Sequence, residues 1–331
     1  MQCETPLLTI AIPTYNRSKY LDGLLAALME QMKGETRIEL LVSDNASGDD
    51  TCALVAGYQG RGLDVRYIRN ARNLGPDRNI LQCFEQASGK YVWVFSDDDL
   101  IHSGTLARVL KALSSERYDL VCVRAYFFEG EYNGHKDFSA ITDLDVTSAE
   151  ELAAHFHVFF TFISGVIVNK EAIASVSHRP FDSLLDTNLA QLGLFYTALN
   201  NQRRSLLIRD PLIAARGNKG VAYALYRIFG PQLNRITEDW IEKASVKRAI
   251  LNGTIQMFFP FFIFLTRLSE ASTVDEDPHA VLRPCFGHNF RYWMFDYPIY
   301  ALPLPLAKVW LLVVRVMNKI DGLLGRPLVK L

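Results

Sequence analysis

Three consecutive aspartates, Asp97, Asp98 and Asp99, follow the apolar run "YVWVF" (91–95) and Ser96. Like charges so close repel one another and must stay hydrated or share a cation. Carboxylates are hard oxygen ligands, and Mg2+ is usually held by one or two of them together with substrate phosphates. A divalent ion between carboxylate and diphosphate can neutralise a leaving nucleotide. One reading of the triplet is therefore a metal–diphosphate clamp. The other is a solvated acidic turn in which Asp98 or Asp99 opens the next helix, where carboxylates stabilise the N-terminus.

Other chemistries lack their residues. "IPTYNRSKYL" (12–21) is neither GxGxxG nor a P-loop, which disfavours a dinucleotide-dependent oxidoreductase and an NTPase. No serine sits in GxSxG and no histidine pair has HExxH spacing. The five cysteines are scattered without a CxxC pair, which argues against a zinc site or disulfide framework and fits a reducing cytosol. A net charge of −1 gives no argument for a nucleic-acid partner. The N-terminus lacks a basic region before its short apolar run, so no signal peptide is expected.

The elements that must position the triplet alternate strand and helix over the first 125 residues. Strands are expected at 7–12, 38–43, 65–68, 91–95 and 119–123, and helices from about Ser18, over 49–58, 75–89 and 103–113. Ser18 is a candidate N-cap and Gly89 a helix stop. Such alternation implies βαβ units, a mainly parallel sheet covered by helices on both faces, and a ligand site outside the carboxyl ends of its strands. The polar residues fall there: Thr14, Tyr15, Asn16 and Arg17, then Asp44 and Asn45, then Asn70 and Asn73, then the triplet. Beyond 126 the pattern loosens. Residues 159–173 read as a strand pair or strand-to-helix unit, 181–199 as helical in the second half, and 205–216 as strands broken by Pro211. Past 220 the chain is helical and strongly apolar. The expected organisation is 1–125, 126–220 and 221–331.

"LLTIAIPTYNRSKYLDGLL", "IELLVSDNASGDDT", "NARNLGPDRNI" and "YVWVFSDDDL" occur in the order and spacing of family 2 glycosyltransferases. The chain resembles that family over 7 to about 125, more thinly to about 220. "SDNAS", "NLGPDRN" and "ARGN" (215–218) are similar to the bacterial O-antigen, abequosyltransferase-like branch. The resemblance implies a GT-A, Rossmann-like fold. Pro13, Thr14, Tyr15 and Asn16 would line the nucleotide pocket, Asp44 would accept from the base with Asn45 nearby, and Asn73 and Gly75 would shape the loop over the nucleotide. Asp97 would lie near the ribose and Asp99 would ligate Mn2+ or Mg2+, both as parts of a DxD motif with Asp98 in its variable place. Transfer would be inverting, with a general base from an acceptor-side Glu-Asp pair. That pair is absent here. Asp186 falls nearest the base by spacing, and Asp182 is the other candidate; Asp186 also reads as the N-cap of a helical run from Thr187. Arg216 and Asn218 would close on the diphosphate, or form a turn with Gly217 and Gly220. Ser164 and Gly165 would edge the acceptor pocket, or form a tight turn.

The partners so implied are a nucleotide-diphosphate sugar, with a deoxyhexose suggested, and a polyprenyl-diphosphate-linked oligosaccharide at the cytoplasmic face of the inner membrane. The competing readings are a sugar-1-phosphate nucleotidyltransferase and a non-catalytic nucleotide-sugar-binding scaffold. In the C-terminal region, 255–265 is too short for a membrane span and 297–314 is interrupted by prolines. On a helix from Leu306, Lys308, Arg315 and Lys319 share one side, while Trp310, Leu311, Val313, Val314 and Met317 cover much of the rest. That pattern suits a membrane surface or a core-packing helix equally.

Overall fold

A computed structural model describes residues 5–130, 132, 142–174, 180–217, 223–269 and 274–323. They group into two compact units, Met1–Thr147 with Thr161–Gly217, and Ser148–Phe160 with Asn218–Leu331. Asn218 and Gly220 lie outside the described residues.

In the first unit, β1 (Leu8–Thr14), β2 (Ile38–Asp44), β3 (Arg66–Arg69), β4 (Tyr91–Val94), β5 (Leu100–Ile101), β6 (Leu120–Phe128), β7 (Leu144–Val146), β8 (Val166–Asn169) and β9 (Ser205–Arg216) form one sheet. Their order is β3-β2-β1-β4-β8-β6-β9-β5, with β7 beside β9. The first four strands in that order are parallel. They are linked by α1 (Ser18–Gln31), α2 (Thr51–Gly60) and α3 (Pro76–Gln86), with α4 (Thr105–Ser115) following β5. Parallel strands end on the same side, so Thr14, Asp44, Arg69 and Val94 share one rim, as the alternation predicts.

Alternation along β1 fills both faces of the sheet. Ile10 and Ile12 pack with Leu21, Leu24 and Leu25 of α1 and Val109 and Leu110 of α4. Ala11, with Leu41, Val92 and Val94, meets Ile80, Cys83 and Phe84 of α3.

Several local expectations change. Arg17, not Ser18, holds the N-cap place of α1, and the Ser18 N–H is satisfied by Asp49 Oδ2 at 2.9 Å. α3 ends at Gln86, and Gly89 serves close packing: a Cβ there would lie 2.6 Å from the Thr9 nitrogen. Of the two forms expected for 159–173, the strand-to-helix unit is present: β8 runs straight into the helix Lys170–Ala174, preceded by short 3-10 turns at His157–Thr161 and Ile163–Gly165. β8 runs antiparallel between β4 and β6. β9 is one strand, and Pro211, which has no N–H for the ladder, sits at a register shift against β6.

The second unit is helical, with Ala244–Met257 and Phe259–Arg267 forming a continuous apolar stretch. By length and composition Ala244–Arg267 is able to cross a membrane, yet 56% of its apolar window is buried inside the protein. The last helix, Leu304–Leu323, has two apolar faces. Ala307, Leu311 and Val314 are buried, and Trp310 is half-buried with its indole N–H donating to the Met294 carbonyl at 3.0 Å. Leu306, Val309, Leu312, Val313, Val316 and Ile320 are exposed. At about 100° per residue the exposed set covers an arc of roughly 120°, bordered by Lys308, Arg315 and Lys319. Trp310, Leu311 and Val314 thus belong to the packed face, whereas Val313 lies outside it.

Candidate active site

The triplet leaves the end of β4 and enters β5, which pairs with β9; it does not open α4, which begins at Thr105. Asp97 Oδ2 accepts from the Thr14 hydroxyl at 2.7 Å, and Oδ1 lies 3.2 Å from Arg17 Nη1. Asp98 bonds the other arm of the same guanidinium and the Ser96 hydroxyl. Asp99 Oδ2 accepts from the Ser164 hydroxyl at 2.7 Å and Oδ1 from the Arg216 backbone N–H at 3.1 Å. Burial pushes Asp97 up to about 6, opposed by Arg17 and Thr14. Burial, then repulsion from Asp98, pushes Asp99 up to about 7, opposed by Ser164 and Arg216. Both carboxylates are thus costly to keep charged without a further cation.

Ser164 is a fixed part of this cluster. Its hydroxyl also accepts from the Ser96 N–H at 2.9 Å, and its carbonyl accepts from the Trp93 indole at 2.7 Å. It therefore orients Asp99, with Gly165 beside it in the 3-10 turn. Arg216, at the end of β9, donates from Nη1 to the Gly130 carbonyl at 2.9 Å and lies over Phe128 and Tyr20.

The residues expected to line the nucleotide pocket lie on the rim of β1–β3. Pro13 and Thr14 end β1, Tyr15 is exposed, and Asn16 adopts φ 53. Asn16 Oδ1 accepts from the Gly48 N–H at 2.7 Å, which ties the first strand end to the second. Asp44 is fully buried; it accepts from the Ser47 N–H at 2.8 Å and from the Tyr67 hydroxyl, and lies 3.5 Å from Arg69 Nε. Its partner Tyr67 is pushed up by burial and by this carboxylate. Asp44 has no exposed surface, and its bond to the Ser47 N–H shapes the loop 45–47. Asn45 Nδ2 donates to Asn73 Oδ1 at 2.8 Å and to the Gly75 carbonyl at 3.1 Å, and Oδ1 accepts from the Leu74 N–H at 2.9 Å. The loop ends in Gly75 at φ 84, a conformation glycine adopts freely.

Asp182 is exposed in the 3-10 turn Phe181–Leu184, where its charge acts on Arg78. Asp186 is exposed at φ 64, and Asn188 adopts φ 58. With α5 (Ala149–Phe156) and α6 (Lys170–Ala174) preceding it, α7 spans Gln191–Asn200 and starts later than the sequence suggests. Asp186 is therefore no helix cap. The buried Asp77 of α3 instead accepts from the N–H groups of Asn188 at 2.9 Å and Ala190 at 3.2 Å. Its role had no sequence signal beyond that of an ordinary acid in a first helical turn.

A carboxylate triplet thus stands at the end of the fourth parallel strand, clamped to the first strand end through Thr14 and Arg17. The profile described as "Glycosyl transferase family 2" matches residues 9–172. Residues 9–172 are a domain of this glycosyltransferase family. The chain is 29% identical over 266 residues to the Salmonella typhimurium abequosyltransferase RfbV, covering 74% of this chain and 79% of that one. It is 30% identical over 171 residues to the Campylobacter jejuni GalNAc(5)-diNAcBac-PP-undecaprenol beta-1,3-glucosyltransferase, covering 50% and 54%. Among solved structures, S. aureus TarS 1-349 in complex with UDP-GlcNAc superposes with a TM-score of 0.62 at 19% identity, covering 96% of this chain and 92% of that one. The Pyrobaculum calidifontis mannosyltransferase PcManGT, solved with GDP-Man and Mn2+, gives 0.55 at 15% identity, covering 96% and 88%. The GT-A fold and a glycosyltransferase activity follow, and the nucleotidyltransferase and scaffold readings fall.

Proposed function

We propose that this glycosyltransferase is inverting and metal-dependent, and moves a deoxyhexose from a nucleotide-diphosphate sugar to a polyprenyl-diphosphate-linked oligosaccharide in bacterial O-antigen synthesis. The observation that carries the reading is the Asp97–Asp99 cluster on the rim that also bears Thr14, Asn16 and the Asn73–Gly75 loop. Residues 1–125 bind the donor, 126–220 the acceptor, and 221–331 form the helical region. Tyr15, Pro13 and the 73–75 loop border the nucleotide, with Asp44 and Asn45 holding the loops in shape. The relatives acting on abequose and on an undecaprenol-linked glycan support the sugar class and the lipid-linked acceptor.

The donor set fits Mn2+ or Mg2+ by chemistry: Asp97 and Asp98 share a single guanidinium, Asp99 has none and is held by a hydroxyl and a backbone N–H, and burial raises both Asp97 and Asp99. Asp99 and Asp97 would hold the ion, which supplies charge neutralisation to the diphosphate leaving group. Arg216 adds a guanidinium suited to phosphate.

The reaction needs a base for the acceptor hydroxyl. Asp186 takes the proton, the freed oxygen electron pair attacks the anomeric carbon from the face opposite the diphosphate, and the bond to the diphosphate oxygen breaks with its electrons. One substitution of this kind inverts the anomeric configuration. The left-handed backbone at Asp186 favours it over Asp182, because strained non-glycine residues concentrate at functional sites. Incubating the protein with a panel of nucleotide sugars and a polyprenyl-linked acceptor, then reading the product's anomeric configuration by NMR, tests the reading. Retention, or transfer undiminished in excess EDTA, contradicts it.

The exposed face of the last helix supports a peripheral position on the cytoplasmic side of the inner membrane. An apolar arc with a basic border is the form that lies in an anionic lipid interface.

A further inference from the structure

Arg17 occupies the N-cap place of α1, where the free N–H groups of the first turn carry partial positive charge. A cation is disfavoured there unless other groups hold it. The triplet holds it: Nη1 is 3.2 Å from Asp97 Oδ1, and Nη2 bonds Asp98 Oδ2. The delivering turn is itself fixed, with Asn16 left-handed, its Oδ1 accepting from Gly48 and its N–H donating to Ser47 Oγ at 2.9 Å. The Arg17 side chain nevertheless remains 37% exposed. Its guanidinium lies 5.0 Å from the Tyr20 ring centre, and that of Arg216 lies 5.1 Å from the same ring.

These contacts describe a cation with more than one place to bind. A planar guanidinium fork matches carboxylate and phosphate equally well. The Tyr20 face attracts it whichever anion it meets. The guanidinium end of the pair reaches solvent, so Arg17 can leave without being stranded in the interior, while the buried Asp97 and part-buried Asp98 then need another cation in its place. A divalent ion on Asp97 and Asp99 competes for the same negative charge, and a donor diphosphate arriving with it offers new acceptor oxygens.

We infer that Arg17 is an exchangeable counter-ion of the triplet: it occupies Asp97 and Asp98 in the donor-free enzyme, competes there with the divalent ion, and passes to a diphosphate oxygen when metal and donor bind. This rests on the metal–diphosphate reading above. It makes Arg17 a positioning residue whose removal moves metal affinity and donor affinity in opposite directions.

The test is Mn2+ binding to the donor-free protein, followed by electron paramagnetic resonance. Arg17→Gln should bind Mn2+ about fivefold more tightly than the native protein, the scale of one part-exposed ion pair. The donor KM should rise about tenfold through loss of a charge-assisted bond. Arg17→Lys, which keeps the charge, should restore native-like Mn2+ binding. Arg17→Met, with its melting curve checked, serves if the glutamine variant does not fold. Native binding of Mn2+ with unchanged or weaker binding in both neutral variants overturns the inference alone. Failure of every form to bind Mn2+, with or without donor, overturns the metal reading and the inference together.

Discussion

The buried Asp77 carboxylate accepts the Asn188 N–H at 2.9 Å, across 111 residues of sequence. The bond joins α3, which begins directly after the Asn73–Gly75 loop, to the loop that carries Asp186. Two left-handed residues in that loop persist because the surroundings over-determine them, through Asp77 on the Asn188 and Ala190 N–H groups and through the Thr187 hydroxyl between Leu184 and Leu189. Asp77→Ala leaves two N–H groups without their acceptor, at about 1–3 kcal/mol for each that stays buried. The expected result is a lower melting temperature and a fall in kcat with donor affinity largely kept. Calorimetry and steady-state kinetics on one preparation check both.

The proton acceptor can be isolated by an isosteric change. Asp186→Asn keeps the shape and removes the basic oxygen. Turnover should fall by about 10²–10⁴-fold while donor binding is kept. Asp182→Asn should change turnover little. If the two variants exchange these phenotypes, Asp182 is the base.

The metal reading makes a separate demand on Asp99. Asp99→Ala should abolish most transfer and most Mn2+-dependent nucleotide binding, and it also frees the Ser164 hydroxyl and the Arg216 N–H. Asp99→Asn keeps the shape and one acceptor oxygen for the Arg216 N–H, while the Ser164 hydroxyl can turn to accept from the new amide, so it separates lost metal binding from lost packing. Calorimetric titration of nucleoside diphosphates with and without Mn2+ distinguishes the two.

How much of this was legible depends on the range of the interactions. β1, β2 and β4 were readable because strands buried on both faces are apolar runs, and parallel order puts their polar ends on one rim; β3, RYIR at the sheet edge, is only partly buried and was marked by its place between two helical runs. β8 was not: "VIVN" carries no sign of direction, and its antiparallel place between β4 and β6 is set by pairing alone. The aspartate triplet announced itself by local repulsion. The bond from Ser164 to Asp99 and the role of Asp77 did not, since their partners lie 65 and 111 residues away; Ser164 drew notice only as a pocket edge or turn. In the last helix, periodicity identified apolar residues but could not say that Leu311 packs while Leu312 is exposed.

Asp296 makes stability depend on pH. It is completely buried, neither carboxyl oxygen has a hydrogen-bond partner, and burial raises it well above its ordinary value of 3.8. The titratable groups that sense its charge are Tyr226 and Tyr292, themselves raised by burial. The folded state therefore holds this proton more tightly than the unfolded chain. Its contribution is fully present below pH 3.8 and is lost as pH rises toward the folded value, at about 1.4 kcal/mol per pH unit. Asp296→Asn should be more stable than the native protein at neutral pH and lose that advantage in acid. Urea melts across that range read the difference in slope.

The last helix should bind anionic vesicles through its exposed face, not through Trp310. Leu306, Val309, Leu312, Val313, Val316 and Ile320 supply apolar area, worth about 25 cal/mol for each Å² removed from water. Lys308, Arg315 and Lys319 border that arc and add about 1 kcal/mol apiece near an anionic surface. Salt screens only the second contribution, so raising ionic strength should weaken binding without abolishing it. Val309→Asp with Val316→Asp places charge in the exposed arc and should abolish flotation with the fold intact. Changing the three basic residues to glutamate should do the same for anionic vesicles and spare transfer to a soluble acceptor. Trp310→Asp should instead lower the melting temperature, since its ring is half-buried and its N–H is bonded to Met294. Flotation with circular dichroism on the same samples reads both effects. Absence of flotation by the native protein rules the membrane face out.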